Sequence, residues 1–243
     1  ATTPEDSDEN DNSTVIGDMI LDDDQMKYLF SSENLTRLAL DQPFAKWPNA
    51  TVIYSIDKKL DDKAKEIFMK AIDYIKNVSC VRFEEKNKKS KNFILVKKGN
   101  ACSSKVGYRQ KGAQPLIING DLCSFGSVVH ELLHSLSFLH MHTAKDRDEH
   151  IEIKWNNIRD DAKINFKSFS AHVTMLGTDY DYNSLMHYSR IAFAKDKNLP
   201  TIVPKDLVKA KDMGQRKGKF KSLIFFLKLI LKFQQCLRVI LRD

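Results

Sequence analysis

A chain of 243 residues, 42% hydrophobic and 29% charged, is long enough to bury one large core or two smaller lobes. Its net charge of +7 is unevenly spread, because residues 1–33 carry ten acidic residues and one lysine whereas the rest of the chain is basic. The basic residues are dispersed and no nucleic-acid recognition motif accompanies them, so we expect no nucleic-acid partner.

The first stretch, residues 1–13, is too polar to fold alone, and the apolar segment after it contains a Gly-Asp pair at Gly17 and Asp18. Glycine tolerates the backbone angles of a tight turn, so the apolar flanks would anchor the segment and present the Asp18 carboxylate. Two interpretations follow: a surface turn, which the residues alone favour, or an inhibitory carboxylate placed on a metal ion.

A mixed α+β lobe is predicted from Trp47 onwards. A strand at residues 51–56 precedes a helix at residues 61–76, whose apolar residues recur at helical spacing. We expect this helix to bury its apolar face on a sheet. Further strands and a second helix are predicted at residues 81–85, 92–97, 115–118 and about 124–137.

The segment HELLHSLSFLH, residues 130–140, contains the candidate metal ligands and the candidate catalytic base. On a helix, His130 and His134 lie one turn apart on the same face, so both imidazoles can reach one metal ion. His140 lies where a third ligand could return after the helix, and a catalytic zinc takes three protein ligands and leaves a position for water. Glu131 could then act as base on that water. The pattern is a metalloprotease signature and predicts a Zn²⁺ cofactor.

The second half, residues 141–204, is rich in loops, with one helix predicted at residues 155–166, and such a region usually needs a tether. An even number of cysteines without C-x-x-C spacing favours two disulfides over a redox or cysteine–zinc site. These cysteines are Cys80, Cys102, Cys123 and Cys236. Four N-x-Ser/Thr sequons begin at Asn12, Asn34, Asn49 and Asn77. Together they indicate a glycosylated protein that is secreted to the extracellular space.

The last stretch, residues 221–243, is a basic amphipathic segment that charge interrupts too often for a clean membrane span. A helix of this type can lie on a membrane surface. A packing helix or an altered chain end explains the segment at least as well, so contact with a membrane is not the favoured interpretation.

Two separated signatures, in the expected order, resemble those of the astacin family of zinc metalloendopeptidases. HELLHSLSFLHMHTAKDRD at residues 130–148 resembles the zinc signature of the family, and SLMHY at residues 184–188 resembles its Met-turn. The resemblance runs from about residue 17 to residue 216. It implies a two-lobed, metzincin-like α+β fold, with a mixed twisted sheet and the zinc helix in the N-terminal lobe and a loop-rich C-terminal lobe.

The same resemblance implies roles for individual residues. Glu131 would handle the proton of the attacking water, and Tyr188 would be an additional metal ligand that swings away to stabilise the transition state. Met186 would form an apolar floor beneath the metal. The Zn²⁺ ion itself would be held by His130, His134 and His140.

Latency is also implied, since the Gly-Asp pair resembles the prosegment motif whose aspartate takes the water position on zinc. Asp18 would then be an inhibitory ligand in a zymogen, which reverses the preference for a surface turn, and an activating protease would cleave near Arg37. The chain would comprise an acidic prosegment, a catalytic domain with lobes at about 38–140 and 141–220, and a C-terminal tail. These three parts are residues 1–37, 38–220 and 221–243.

The substrate implied by the resemblance is a protein or peptide bound in extended form between the lobes. It would add a strand to an exposed sheet edge within residues 103–109. One disulfide would join Cys102 to Cys123, and Cys80 would pair with a cysteine near the C-terminus, for which Cys236 is the candidate.

Several positions depart from the family pattern. Ser137 stands where the family has the glycine that ends the zinc helix, and a non-glycine residue in the left-handed conformation costs about 1 kcal/mol. Met141 replaces the acidic residue that interacts with the new amino terminus, Ala144 replaces an arginine, and the sequence after Arg216 is unlike the family. These departures motivate an alternative function, that of a zinc-binding but catalytically weak or inactive protease-like binding protein.

Overall fold

The computed structural model describes residues 13–30, 46–169 and 179–216. Its strands are β1 Ser13–Ile16, β2 Met19–Asp22, β3 Thr51–Ile56, β4 Arg82–Glu85, β5 Phe93–Lys98, β6 Ser103–Lys105, β7 Ala113–Ile118, β8 Ile151–Ile153 and β9 Ile202–Pro204. Its α-helices are α1 Asp23–Phe30, α2 Asp62–Val78, α3 Phe125–Ser135 and α4 Arg147–His150. Short 3₁₀ turns lie at Pro48–Ala50, Met141–Thr143, Trp155–Asn157 and Asp160–Phe166.

Within these described ranges, seven strands form one mixed sheet in the order β1-β2-β6-β7-β5-β3-β4. The strands β4, β3, β5 and β7 are parallel, whereas β6 runs antiparallel to β7. A separate antiparallel pair, β8 and β9, lies in the loop-rich second half. The predicted α+β fold with a mixed sheet in the first lobe is therefore confirmed.

The helix α2 forms because its sequence combines a cap with an apolar stripe. Asp61 caps the helix by accepting a hydrogen bond from the Ala64 amide at 2.8 Å. The stripe packs on the sheet and on α3, and burial of a large apolar side chain contributes about 1.5–3 kcal/mol. Its buried members are Ala64, Phe68, Ala71, Ile72 and Ile75. The apolar periodicity of the sequence predicted each end of this helix to within two residues.

The segment around Gly17 and Asp18 is a β-hairpin that extends the sheet. Its strands β1 and β2 pair with each other, and β2 also pairs in parallel with β6. Gly17 has a φ of +69°, the conformation that glycine adopts without strain. Four of the apolar flanking residues, Ile16, Met19, Ile20 and Leu21, are buried, as predicted for an anchored segment, whereas Val15 lies on the exposed face of β1.

The helix α1 is not among the predicted elements, although its start carries a recognisable signal. The Asp22 carboxylate accepts a hydrogen bond from the Gln25 amide at 3.1 Å, and the Gln25 side chain accepts one from the Asp22 amide at 3.2 Å. This reciprocal pair is a capping box. The sequence D-x-x-Q thus marks a helix N-terminus whose eight residues are too few for a clear apolar period.

One prediction is wrong. Residues 155–166 do not form one helix but two 3₁₀ turns, because Ile158 is in an isolated β-bridge with Ala194 and the Arg159 amide donates to the Phe193 carbonyl. The sheet edge within residues 103–109 is covered by β2 in this state, so substrate binding there stays a prediction for a chain from which the hairpin has been removed.

The predicted disulfide between Cys102 and Cys123 is present. Several other predictions fall outside the described residues: the cleavage site at Arg37, the proposed partner cysteine Cys236, the tail at residues 221–243 and the sequons at Asn12 and Asn34. In the part of the chain that is described, no helix is long and apolar enough to cross a membrane.

Candidate active site

Three imidazoles converge where α3 and the chain after it meet. His130 and His134 lie one turn apart on α3, and His140 follows a tight turn at the end of that helix. The Nε2 atom of His140 is 3.2 Å from that of His130 and 3.3 Å from that of His134. All three residues are at most 2% exposed, so the predicted histidines form one buried cluster.

Hydrogen bonds on the opposite side of two rings set their orientation. The Nδ1–H of His130 donates to the Leu185 carbonyl at 2.9 Å, and that of His134 donates to the Phe138 carbonyl at 2.7 Å. With Nδ1 protonated, the lone pair of each ring lies on Nε2 and faces the shared point. Burial also lowers the pKa of His130 to about 3, which keeps this imidazole neutral and able to bind a metal.

The turn that delivers His140 is a Schellman motif with serine in the glycine position. Ser137 has a φ of +76°, its amide donates to the His134 carbonyl at 2.9 Å, and the Phe138 amide donates to the Leu133 carbonyl at 3.0 Å. The turn is therefore retained despite the substitution. It also places the Phe138 carbonyl that orients His134.

Replacing Ser137 by Gly is expected to raise the free energy of unfolding by about 1 kcal/mol, because glycine adopts a positive φ without the steric cost that a side chain adds. Chemical denaturation of the full chain measures this change. The matched control is Ser127→Gly, since Ser127 lies inside α3, where the same substitution should destabilise by about 0.5–1 kcal/mol. A destabilising Ser137→Gly would contradict the assignment of strain to this turn.

The Asp18 carboxylate from the hairpin points at the same three ring nitrogens. Its Oδ1 atom is 2.9 Å from His140 Nε2 and 3.3 Å from His134 Nε2, and its Oδ2 atom is 3.2 Å from His130 Nε2. Burial acts to raise the pKa of Asp18, but the neighbouring His140 and His130 outweigh it, so this pKa lies well below its usual value. The turn of the hairpin is therefore directed at the histidine cluster.

These donors fit a zinc ion. Ligand atoms of Asp18 and the three histidines lie within 4.8 Å of one another. Tetrahedral zinc with Zn–N distances of about 2.0–2.1 Å separates its ligand nitrogens by about 3.3 Å, close to the spacings of the imidazoles here. Asp18 Oδ1 is buried and has no hydrogen-bond partner within the described ranges. A bound cation would be coordinated by this oxygen and by the Nε2 lone pairs of the three histidines, which otherwise face one another.

Glu131 and Tyr188 lie beside this cluster with unpartnered oxygens. Glu131 Oε2 and Tyr188 Oη are buried and make no hydrogen bond to any described residue. Burial, and after it the Asp18 carboxylate, raises the pKa of Glu131 well above its usual value, and the same two causes raise that of Tyr188. The Tyr188 ring centroid is 4.6 Å from that of His140 and 3.9 Å from that of His142, on which it stacks. Tyr188 therefore lies against the histidine cluster, and the Glu131 carboxyl is near enough to Asp18 for the charge of that carboxylate to shift its pKa.

The Met-turn, residues 184–188, packs against α3 and against the chain that follows His140. Met186 is 4% exposed and belongs to the apolar cluster that includes Leu132 and Leu133 of α3. Its carbonyl accepts a hydrogen bond from the Met141 amide at 3.0 Å, which fixes the chain just after His140. Met141 is itself buried, so an apolar side chain fills the position where the family resemblance implies a carboxylate.

Arg216 and His187 are two further residues near the site, and no sequence pattern predicts a role for either of them. The guanidinium of Arg216 donates to the His187 carbonyl at 3.3 Å, and its charge counteracts part of the pKa increase at Glu131. His187 donates through Nδ1 to the Tyr188 carbonyl at 2.7 Å and accepts from the Tyr180 hydroxyl at 2.7 Å. No local motif could reveal the contact of Arg216, which lies 29 positions from His187, whereas the partners of His187 lie within seven positions of it.

A helix that carries two histidines beneath a mixed sheet, with a third histidine returned by a tight turn above a Met-turn, occurs in zinc metalloproteases of the metzincin type. The fold and the site place the chain in that class.

Comparison with known proteins defines the family. The model of the astacin peptidase family matches residues 39–224, so the chain belongs to the astacin family of zinc metalloproteases. The resemblance inferred from the two signatures is thus confirmed, and with it Zn²⁺ as the cofactor that this family uses.

The relatives differ in length from this chain. Zinc metalloproteinase nas-14 of Caenorhabditis elegans is 36% identical over 225 residues, which are 90% of this chain and 42% of the relative. Meprin A subunit alpha of Rattus norvegicus is 35% identical over 172 residues, which are 70% of this chain and 22% of the relative. The chain thus spans less than half of either protein.

A solved structure agrees with the fold. High choriolytic enzyme 1, a hatching enzyme zinc-protease from Oryzias latipes, matches with a TM-score of 0.70 and 30% identity. The match covers 78% of this chain and 94% of that chain. Most of that zinc-protease chain therefore has a counterpart in this fold.

Proposed function

We propose that the protein is a secreted zinc endopeptidase, made as a latent zymogen, that hydrolyses peptide bonds in proteins. The convergence of the Asp18 carboxylate with the three histidine Nε2 atoms supports this proposal most directly. A carboxylate in that position excludes water from the place where the attacking molecule must bind. The disulfide between Cys102 and Cys123 favours an oxidising, extracellular environment.

The proposed chemistry assigns separate tasks to two side chains. His130, His134 and His140 would hold a zinc ion, which would supply Lewis acidity for the scissile carbonyl and for deprotonation of water. Glu131 takes the proton from the attacking water and passes it to the leaving amine, a transfer that its buried and unpartnered Oε2 atom favours. Tyr188, whose raised pKa keeps the phenol protonated, donates a hydrogen bond to the oxyanion of the tetrahedral intermediate.

Activation requires the hairpin to leave. We propose that residues 1–37 are the prosegment and that a protease cleaves near Arg37. Loss of the hairpin would uncover the edge of β6, where an extended substrate can add a strand through backbone hydrogen bonds. The catalytic domain would then comprise residues 38–220.

One experiment tests metal, activity and latency together. The chain is assayed with an internally quenched peptide before and after controlled trypsin treatment, with and without a zinc chelator, and bound zinc is measured in parallel. We expect the trimmed chain to hold one zinc per molecule and to cleave the peptide at least 10-fold faster than the intact chain, with the activity lost in chelator. A trimmed, zinc-loaded chain that cleaves no peptide would support the alternative of a catalytically inactive binding protein.

A further inference from the structure

The hairpin has a second polar contact with the catalytic domain, away from the histidines. At the end of β2 the Asp22 carboxylate makes an ion pair with the Arg109 guanidinium, and Lys111 Nζ lies 3.5 Å from the same carboxylate oxygen. The side chains of Asp22 and Arg109 are each 10% exposed, whereas that of Lys111 is 67% exposed. The ion pair of Asp22 and Arg109 is therefore almost fully shielded from solvent.

Strand register relates this site to the metal centre. The Ser104 amide donates to the Asp18 carbonyl at 3.0 Å, and Ile20 pairs with Lys105. Asp22 lies four residues beyond Asp18 along an extended strand, so the two carboxylates are separated by about 13 Å at 3.3 Å per residue. Arg109 thus marks one point along the cleft, at a fixed distance from the reacting centre.

The loop that carries Arg109 is held by contacts within the catalytic domain. The Arg109 amide donates to the Gln114 side chain at 3.1 Å, and Gln114 donates in turn to the Gly107 carbonyl at 2.8 Å. The Tyr108 hydroxyl accepts from the Asn92 side chain at 3.0 Å. Gln25 of α1 also donates to the Val106 carbonyl at 2.9 Å, but the contacts around Tyr108 and Arg109 lie within the catalytic domain, so we expect this part of the loop to keep its shape when the hairpin leaves.

We propose that Arg109, assisted by Lys111, is a specificity-determining residue that binds an acidic side chain of the substrate. This inference rests on the proposed function, because it requires an extended peptide on the edge of β6. Such a peptide has the same rise per residue as β2, so with its scissile bond at the histidines it places a side chain three to five residues away at the site of Asp22. An arginine can hold a substrate Asp or Glu there through two parallel hydrogen bonds.

The charge distribution agrees with this assignment. The hairpin segment belongs to the acidic first 33 residues, whereas the domain that it covers is basic. Lys105 of β6 adds a third cation to the same edge and is 6% exposed beneath the hairpin. These cations suit the acidic hairpin that covers the edge before activation, and an acidic peptide once the hairpin has left.

The test uses the trypsin-trimmed, zinc-loaded chain with a set of quenched peptides that place Glu or Gln at each position three to five residues from the scissile bond, on either side. At one of these positions we expect Glu to raise kcat/KM about 10- to 100-fold over Gln, chiefly through a lower KM, because hydrogen bonds between charged groups contribute that much. Arg109→Gln should abolish the preference, and Arg109→Glu should transfer it to peptides with Lys at that position. Arg82→Gln, at the opposite edge of the sheet, is the matched control and should retain it.

The outcomes separate this inference from the proposed function. If the trimmed wild-type chain cleaves every peptide without preferring Glu at any scanned position, or if the preference survives in Arg109→Gln, the inference is wrong while the protease assignment stands. If the trimmed chain cleaves none of them, the proposed function itself fails. Recovery of activity by Arg109→Glu on Lys peptides shows that the variant is folded, so a general loss of structure cannot imitate the predicted result.

Discussion

Replacement of Glu131 by Gln is expected to lower kcat/KM for peptide hydrolysis about 1,000-fold in the trimmed chain, while zinc binding remains stoichiometric. Removal of a positioned general acid–base group typically costs between 10²- and 10⁴-fold in rate. Gln has the shape of Glu but cannot accept the proton of the attacking water. Glu131 is 2% exposed and its Oε2 has no partner in the described ranges, so the amide should break no hydrogen bond of that atom.

The matched control for this variant is Glu149→Gln, the same chemical change on the exposed surface of α4. It should leave kcat/KM within about twofold, since an exposed single charge is screened by solvent. Chelator-sensitive peptide cleavage measures the rates, and elemental analysis measures zinc per chain. Glu131→Gln with undiminished activity would contradict the assignment of the proton transfer to Glu131. Loss of zinc in this variant would instead indicate a role in building the site.

The local parts of the site were predictable from sequence because short-range geometry fixes them. His130 and His134 are one helical turn apart, and the cap at Ser124 together with the turn at Ser137 sets where α3 begins and ends. The apolar period of α2 likewise predicted its buried face. In each case the residues that define the structure lie within a few positions of one another.

Contacts between distant segments could not be read from the sequence. The pair of Asp22 and Arg109 spans 87 positions, and no local pattern indicates it. Tertiary pairing also overrode local propensity at Ile158, whose bridge to Ala194 divides the region predicted as one helix. The proposed inhibitory role of Asp18 came from the family resemblance, because the residues alone favoured a surface turn at this position.

Loss of latency is the expected result of Gly17→Ala, because this position has no space for a side chain. A Cβ atom at Gly17 would collide with the Tyr188 hydroxyl, and the φ of +69° is unfavourable for an L residue by about 1–2 kcal/mol. Because Tyr188 is buried and stacks on His142, we expect the turn rather than this side chain to give way, which moves the Asp18 carboxylate away from the histidines. A total penalty of about 3 kcal/mol weakens docking of the hairpin about 100-fold.

The measurement is peptide cleavage by the intact, zinc-loaded chain before any trimming. We expect intact Gly17→Ala to exceed intact wild type at least 10-fold, and Asp18→Ala to exceed it further, because the latter removes the carboxylate aimed at the metal centre. Val15→Ala, on the exposed face of β1, should remain latent. Cleavage after Arg37 provides a second control, since the trimmed products of all these chains are identical in sequence and must have equal activity. The contrary outcome is that intact Gly17→Ala and Asp18→Ala stay as inactive as wild type while trimming activates them fully. In that case the turn of the hairpin does not cause latency, and residues between the hairpin and the cleavage site must do so.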